Sequence, residues 1–321
     1  LYVHPLRIAV KRSLSCFTAL SIALALVPSN AFAHGFAGKR FFPATPATED
    51  PFVADELALP TISQRRLGAT DEGPGARETG AAMEYDKRLT PNLGVGLSAD
   101  YLRQQQADGT VTDGFDNWAA SVKYQFYKND PGEAIASVGL DWDIGGTGAK
   151  AVGAESFSTF TPTLFVGKGF GELPEGAKFL RPLAVTGAFG LAIPSRSSST
   201  TVDADGNAAV EPHPDVLRIG GSVQYSLPYL HSFVKDVGMP EPFRRMILLV
   251  EFDLQKPVDR EAGGWTGTVN PGVLWAGRYV QLGLEAVIPV NSRTGGGNGV
   301  LVQLHFFLDD LFPQSLGKPV F

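Results

Sequence analysis

Residues 134–144 read Ala134-Ile135-Ala136-Ser137-Val138-Gly139-Leu140-Asp141-Trp142-Asp143-Ile144. In an extended chain Ala136, Val138, Leu140, Trp142 and Ile144 share one face, and Ser137, Gly139, Asp141 and Asp143 share the other. Strict period two marks a strand whose two faces meet different surroundings. Length then says which surroundings. Globular strands run about 5–6 residues, whereas a tilted strand crossing a bilayer takes about 9–11. A stretch this long, with acids on its polar side, suits an apolar face in lipid and a wetted inner face.

The pattern repeats outward from this stretch. Segment 118–128 sets Ala120, Val122, Tyr124 and Phe126 against Ser121, Lys123, Gln125 and Tyr127, and 182–193 sets Leu183, Val185, Gly187, Phe189, Leu191 and Ile193 against small residues. Twelve segments are predicted: 57–67, 77–89, 93–106, 116–128, 134–144, 156–168, 179–193, 216–227, 245–257, 265–275, 278–290 and 299–309. The number is even, and short turns (90–92, 129–133, 276–277) mostly alternate with longer loops rich in Gly, Ser, Thr and Asp, the longest being 194–215. The expected fold is therefore all-β, one antiparallel up-and-down transmembrane barrel of about twelve strands. Two connections on the short-turn side, 169–178 and 228–244, are too long for the rule. In the second, Leu227, Leu230, Phe233, Val234 and Val237 fall at helical spacing, which predicts a short helix ending before Gly238 and Pro240. Trp142, Trp265, Trp275, Tyr124, Tyr225 and Tyr279 lie near segment ends, where aromatic girdles sit.

Composition agrees. The 321 residues include 37 Gly and only 19% charged residues, with 10% aromatics, which argues against disorder. The formal charge of −6 is dispersed and leaves no basic stripe, so nucleic acid is not an expected partner. At the N-terminus Arg7, Lys11 and Arg12 precede an apolar run from Cys16 to Val27 and a close on Ala31-Phe32-Ala33, the order of a secretory signal peptide. Cleavage there removes three bases and the one Cys, leaving a chain from His34 with formal charge −9 and no disulfide. No later stretch reaches the 18 apolar residues of a membrane helix.

The cleavage site, the twelve segments and the terminal Phe321 resemble Gram-negative outer-membrane β-barrels. The stretch His34-Gly35-Phe36-Ala37-Gly38-Lys39-Arg40-Phe41-Phe42-Pro43-Ala44-Thr45 and the stretch Leu304-His305-Phe306-Phe307-Leu308-Asp309-Asp310-Leu311-Phe312-Pro313 resemble a group of uncharacterised proteobacterial barrels. Those are similar, at a distance, to the channel-like family linked to the phenol meta-cleavage pathway. The resemblance extends to 34–60 and 304–313 in residues and to most of the chain in pattern. It implies an outer-membrane location, contact with outer-membrane lipid and with the barrel-assembly machinery, and passage of an unidentified small solute. It transfers no functional residue. Barrel precursors commonly finish on an aromatic residue read during assembly, but Pro313 and Pro319 separate Phe321 from the last strand.

Candidate chemistry concentrates on the inner face. The lumen-lining set is Glu84, Asp86, Asp100, Lys123, Asp141, Asp143, Arg218, Glu251, Asp253, Glu285, His305 and Asp309, with Arg245 and Lys256 as further bases. Ionised and wetted, this acidic excess favours cations; paired across a closed interior, the same groups only hold the barrel round. The segment 34–56, rich in Phe and Pro, is either a plug threading the lumen or a periplasmic extension, and its Phe content favours a packed role. Catalytic motifs are absent, so an enzyme is not expected, nor a cofactor or metal. Gly167-Lys168-Gly169-Phe170-Gly171 reads as a turn, Asp203-x-Asp205-Gly206-Asn207 lacks the last ligand of a calcium loop, and a copper site at His34 lacks a placed second His. His305 would have to face lipid to serve a lipid hydrolase, and alternation faces it inward. The expected function is passive passage or binding of small solutes through an acidic lumen. The alternative is a closed structural or assembly barrel, and the least favoured reading is a lipid-modifying enzyme.

Overall fold

The computed structural model describes residues 35–67, 75–202, 208–260 and 263–321. The expected signal peptide, His34 and the 203–207 motif lie outside them. Twelve strands form the wall: β1 Glu56–Arg66, β2 Ala76–Thr90, β3 Leu93–Gln106, β4 Ala119–Asn129, β5 Ala134–Asp143, β6 Thr159–Gly169, β7 Leu183–Pro194, β8 Val216–Ser226, β9 Met246–Pro257, β10 Thr266–Ala276, β11 Val280–Pro289 and β12 Gly299–Phe307. Every consecutive pair is antiparallel and β12 pairs with β1, so the sheet closes on itself and has no free edge. This is the twelve-stranded all-β barrel that the alternation predicts.

The outer face is apolar and uncovered. Val138, Leu140 and Trp142 on β5, Leu248 and Val250 on β9, Leu282 and Leu284 on β11 and Val300 and Val302 on β12 are each between 39% and 51% exposed. A soluble protein would not leave such a belt in water; lipid is its natural solvent. Trp142 stacks on Phe160 of the next strand, ring centroids 6.0 Å apart.

Alternation fails locally at bulges. The β1–β2 and β1–β12 registers shift near Pro60, which has no N–H to give a ladder, and the β4–β5 register shifts between Gln125 and Tyr127. Beyond that second shift Phe126 and Tyr127 are both exposed, so Tyr127 does not keep the inner-face place that period two assigned it. The last segment also ends early. Asp309 falls in a short helix, Leu308–Leu311, beyond β12, because the chain turns across the barrel end there.

Both termini of the barrel lie at one end, called here the near end. Its turns are short after β2, β4 and β10. The two long exceptions carry structure: a helical turn, Glu175–Leu180, after β6, and helical turns at Leu227–Tyr229 and Leu230–Val234 after β8. The helix expected in 228–244 is thus present, ending by Val234 instead of reaching Val237. At the far end the loops are long, and one carries a hairpin of Ser198–Val202 with Ala208–Pro212.

Candidate functional site

Residues 35–55 do not extend away from the barrel. They enter the lumen from the near end, turn near its middle and return to start β1. At the entrance Gly38 has φ +60°, and a Cβ there would stand 2.1 Å from the Asp130 carbonyl oxygen, so glycine is required. Its N–H donates to Asp130 Oδ1 at 2.8 Å, which holds that carboxyl below the usual carboxylate range. Arg40, 1% exposed, is caged: its guanidinium donates to Glu133 at 3.3 Å, to the Pro182 carbonyl at 3.0 Å and to the Arg181 carbonyl, and lies 4.0 Å over the Tyr229 ring. Tyr229 Oη and Gly171 N–H both donate to Glu133 as well. The cage explains the two long near-end connections. They supply Gly171, Arg181, Pro182 and Tyr229, which a tight turn could not.

Above the cage the chain builds a small apolar core inside the barrel. Phe42 and Phe52, centroids 5.9 Å apart, belong to a buried cluster with Ala37, Ile135 and Ala184, and Phe41 packs on Ile247, Leu249 and Leu274. The inner face of the near half is therefore not uniformly polar, as alternation alone suggested. Fully burying one such ring is worth ~1.5–3 kcal/mol. Glycines on the wall make room: a Cβ at Gly94 would stand 2.7 Å from Val53, at Gly220 2.8 Å from Thr48, and at Gly283 2.8 Å from Pro46.

Polar bonds fix the upper part. Thr45 Oγ1 donates to the Thr48 carbonyl at 2.7 Å and closes the tip. Glu251, fully buried, accepts from the N–H of Ala47 and of Thr48 at 3.0 Å each and from Thr48 Oγ1. Lys123 Nζ pairs with Glu49 at 2.5 Å, donates to the Asp50 carbonyl at 3.0 Å and lies 4.8 Å over the Phe165 ring. Burial, opposed by Lys123, pushes the Asp50 carboxyl up to about 6. On the return limb Asp55, 0% exposed, is held by Lys87 at 2.5 Å and Arg88 at 2.7 Å. Lys87 also donates to the carbonyls of Leu316 and Lys318, and the N–H groups of Val320 and Phe321 bond to Arg88 and Leu89. The C-terminal stretch thus closes the same end.

The sequence-derived residues separate into levels. His305 lies on the inner face, 4% exposed, with Nε2 3.0 Å from Glu56, so it faces the lumen and not lipid. Glu84, Asp86, Lys123 and His305 line a cavity of about 40 Å³ between plug and wall, which Glu49 and Asp50 complete from the plug side. Such a volume admits a few waters at most. Glu84 is nonetheless exposed, while Glu78 and Gly80 farther along the same face of β2 are buried. Glu251 and Glu285 are buried under the tip, while Asp253, one step farther along β9, is exposed, as are Asp100 and Arg218. Arg218 acts electrostatically on Asp141, Asp143 and Asp253. At the far mouth a cavity of about 440 Å³ is lined by Val216, Gln255, Pro257, Thr266 and Arg293.

Three expected members do not line the lumen. Asp309 sits at the near-end seal, 3.8 Å from Arg88. Arg245 lies in the turn before β9, bonded to Glu241 at 3.0 Å. Lys256 falls on the outer face, opposite Leu217, one position off the Glu251, Asp253, Gln255 series. Sequence reasoning missed Arg40, Glu133 and Tyr229; a lone guanidinium inside the run Phe36 to Phe42 was the available signal.

No family model and no curated protein matches this chain. Solved structures do. A crystal structure of the COG4313 outer membrane channel from Pseudomonas putida F1 is 11% identical, with TM-score 0.54, covering 83% of this chain and 99% of that one. The β-domain of the Bordetella autotransporter BrkA is 12% identical, with TM-score 0.47 over 79% of this chain and 99% of its own, and the NanC porin 9% identical, with TM-score 0.44 over 77% and 98%. At these identities the likeness concerns the fold, and the fold is that of an outer-membrane β-barrel.

Proposed function

We propose that this protein sits in the outer membrane after export and gives small solutes a passive, plug-restricted route across it, with both termini on the periplasmic side. The observation that carries the reading is the change along the lumen. Above the plug the inner carboxylates Asp100 and Asp253 are exposed, whereas Glu251 and Glu285 at the level of its tip are buried. A barrel serving only as a scaffold has no use for a wetted inner wall. Acids outnumber bases along this route, which favours cations, with Arg218 as the opposing charge. No cofactor enters this reading, and the inward, Glu56-bound His305 gives none to a lipid hydrolase.

A second reading has its own support. Arg40 and Asp55 at the near end and Glu251 at the tip tie the plug to the wall at three points, as a permanently closed barrel would. Single-channel recording in planar bilayers separates the two. The full chain should show small cation-selective currents by reversal potential, and deletion of residues 35–54 should enlarge them several-fold. Silence after the deletion, in a barrel that still migrates faster on unheated gels, establishes the closed scaffold. Anion preference defeats the acidic-lumen argument.

A further inference from the structure

Three arginines gather on the outer face of the wall at its far end. Arg66 closes β1, Arg77 lies at the start of β2 and Arg103 near the end of β3, and all three are exposed. Arg66 and Arg77 stand directly opposite in the ladder, which puts their Cβ atoms ~4.5–5.5 Å apart. Arg77 faces Gln105, two positions from Arg103, so Arg103 is its diagonal neighbour at ~7–8 Å. Like charges directly opposite on one face destabilise a sheet. Among the described residues no carboxylate pairs with Arg66 or Arg77. The acid in the same row, Glu78, is buried on the inner face and is already taken by Arg65 at 2.7 Å and by Gln104 at 3.0 Å. Asp113, on a short strand Val111–Phe115 beside β3, stands opposite Arg103 and accepts from Tyr101 Oη, which offsets one of the three charges.

The place of the cluster says what can neutralise it. Toward the near end the outer positions of these strands belong to the apolar belt, with Leu59, Ile62, Leu97 and Tyr101 each between 36% and 42% exposed. The polar Gln64 and Thr79 follow, and then the arginines, at the depth where headgroups replace acyl chains. Elsewhere on this rim the outer positions stay apolar, as at Trp142, Phe160, Ile193 and Ile288. A guanidinium fork holds two phosphate oxygens at once, so two forks facing each other can share one phosphate. Bound there, the anion replaces a repulsion by two charge-assisted contacts.

We propose that Arg66, Arg77 and Arg103 form a binding site on the lipid-facing wall for a membrane lipid with a phosphorylated, anionic headgroup. The phosphate sits between Arg66 and Arg77, Arg103 reaches a further headgroup oxygen, and the acyl chains lie along Leu59, Ile62 and Leu97. Solute passage does not enter this inference, so a barrel without current can still bind the lipid.

The test titrates the full chain, purified in detergent, with bisphosphorylated lipid A and follows retention by native mass spectrometry. One lipid should stay on each barrel, and Arg66→Gln combined with Arg77→Gln should lower retention at least tenfold. Phosphatidylcholine, whose phosphate carries its own cation, should be retained at least tenfold less than lipid A. Lys256→Gln, which removes a lone base from the outer face of β9, should change nothing. No retention in the parent, equal retention of the two lipids, a loss in Lys256→Gln equal to that in the arginine pair, or displacement by inorganic phosphate at the concentration of the lipid overturns the site. Asp71 and Glu72 belong to the β1–β2 connection, outside the described residues. Retention that appears only in Asp71→Asn with Glu72→Gln would assign neutralisation of the arginines to that connection and overturn the proposal as well. Should the arginine pair not fold, as judged by heat-modifiable mobility, Arg103→Gln decides alone: a several-fold loss supports the site and unchanged retention overturns it.

Discussion

The two halves of the lumen use the same wall in opposite ways. In the near half, inner-face residues such as Ile247, Leu249 and Glu251 are buried by the plug; in the far half, Asp253 and Gln255 on the same strand are exposed. Glu251 and Asp253 are both acids on the same face of β9, and they differ in what stands opposite them. The burial of a barrel residue is thus set by a remote segment, and the near half behaves as a small globular core wrapped in a membrane sheet. Charged groups there must be partnered, as Arg40, Asp55 and Lys123 are, while those in the far half can rely on water.

Substitutions can break this contrast, and the largest effect is expected at the cage. Arg40→Ala leaves Glu133 buried without its cation, which should cost ~3–5 kcal/mol in plug seating or barrel stability. Urea unfolding in lipid vesicles, followed by heat-modifiable mobility, measures it. A shift below 1 kcal/mol would mean that the near half is wetter than described. Next comes the outer belt: Val250→Arg, on the lipid face, should destabilise by ~2–4 kcal/mol, whereas Gln255→Arg in the open lumen should change little. Equal effects would erase the distinction between the faces. Gly220→Val pushes a side chain into the place of Thr48 and should cost ~1–3 kcal/mol by overpacking, read as a larger current and faster proteolysis within 35–55. Thr48→Val, which removes one donor to a carboxylate, should cost ~1–3 kcal/mol by the same readouts.

A further contrast is with pH. Asp50 goes from 3.8 to about 6 when the plug is seated, so the seated state binds the proton more tightly. Seating is then favoured below about pH 4, weakens as the pH rises to about 6 and is insensitive to this group above that. Proteolysis of the plug across that range should follow this course and flatten in Asp50→Asn.

Much of the wall was legible in the residues, and for a local reason. Alternation in β5, from Ala136 to Asp143, follows from strand geometry and the two solvents, so it can be read without knowing any partner. Bulges at Pro60 and Gln125 depend on register with neighbouring strands, which explains why Tyr127 was assigned to the wrong face. Asp309 looked like a continuation of the alternation in 299–309, and only the turn of the chain over the barrel end removes it. The levels of the lumen were not legible at all. Glu251 and Asp253 are two residues apart with the same pattern around them, and their difference depends on Ala47 and Thr48, some two hundred positions away. The Arg40 cage likewise joins pieces of four separate segments, which no local spacing encodes.

Arg40 and Asp55 together give the plug two fixed ends, one in the cage and one where the return limb meets Lys87 and Arg88. The stretch between them is therefore a strap and not a tether. A strap cannot swing free of the mouth while both ends hold. It can only bow, and fourteen residues fully extended span at most ~46–50 Å of contour. Any opening that keeps both anchors must first release the tip from Glu251 and Lys123, and it is then bounded by that arc, so the length of 41–54 limits how far the plug can clear the lumen. Lengthening the stretch by a few Gly and Ser residues should enlarge the largest solute admitted without loosening either end.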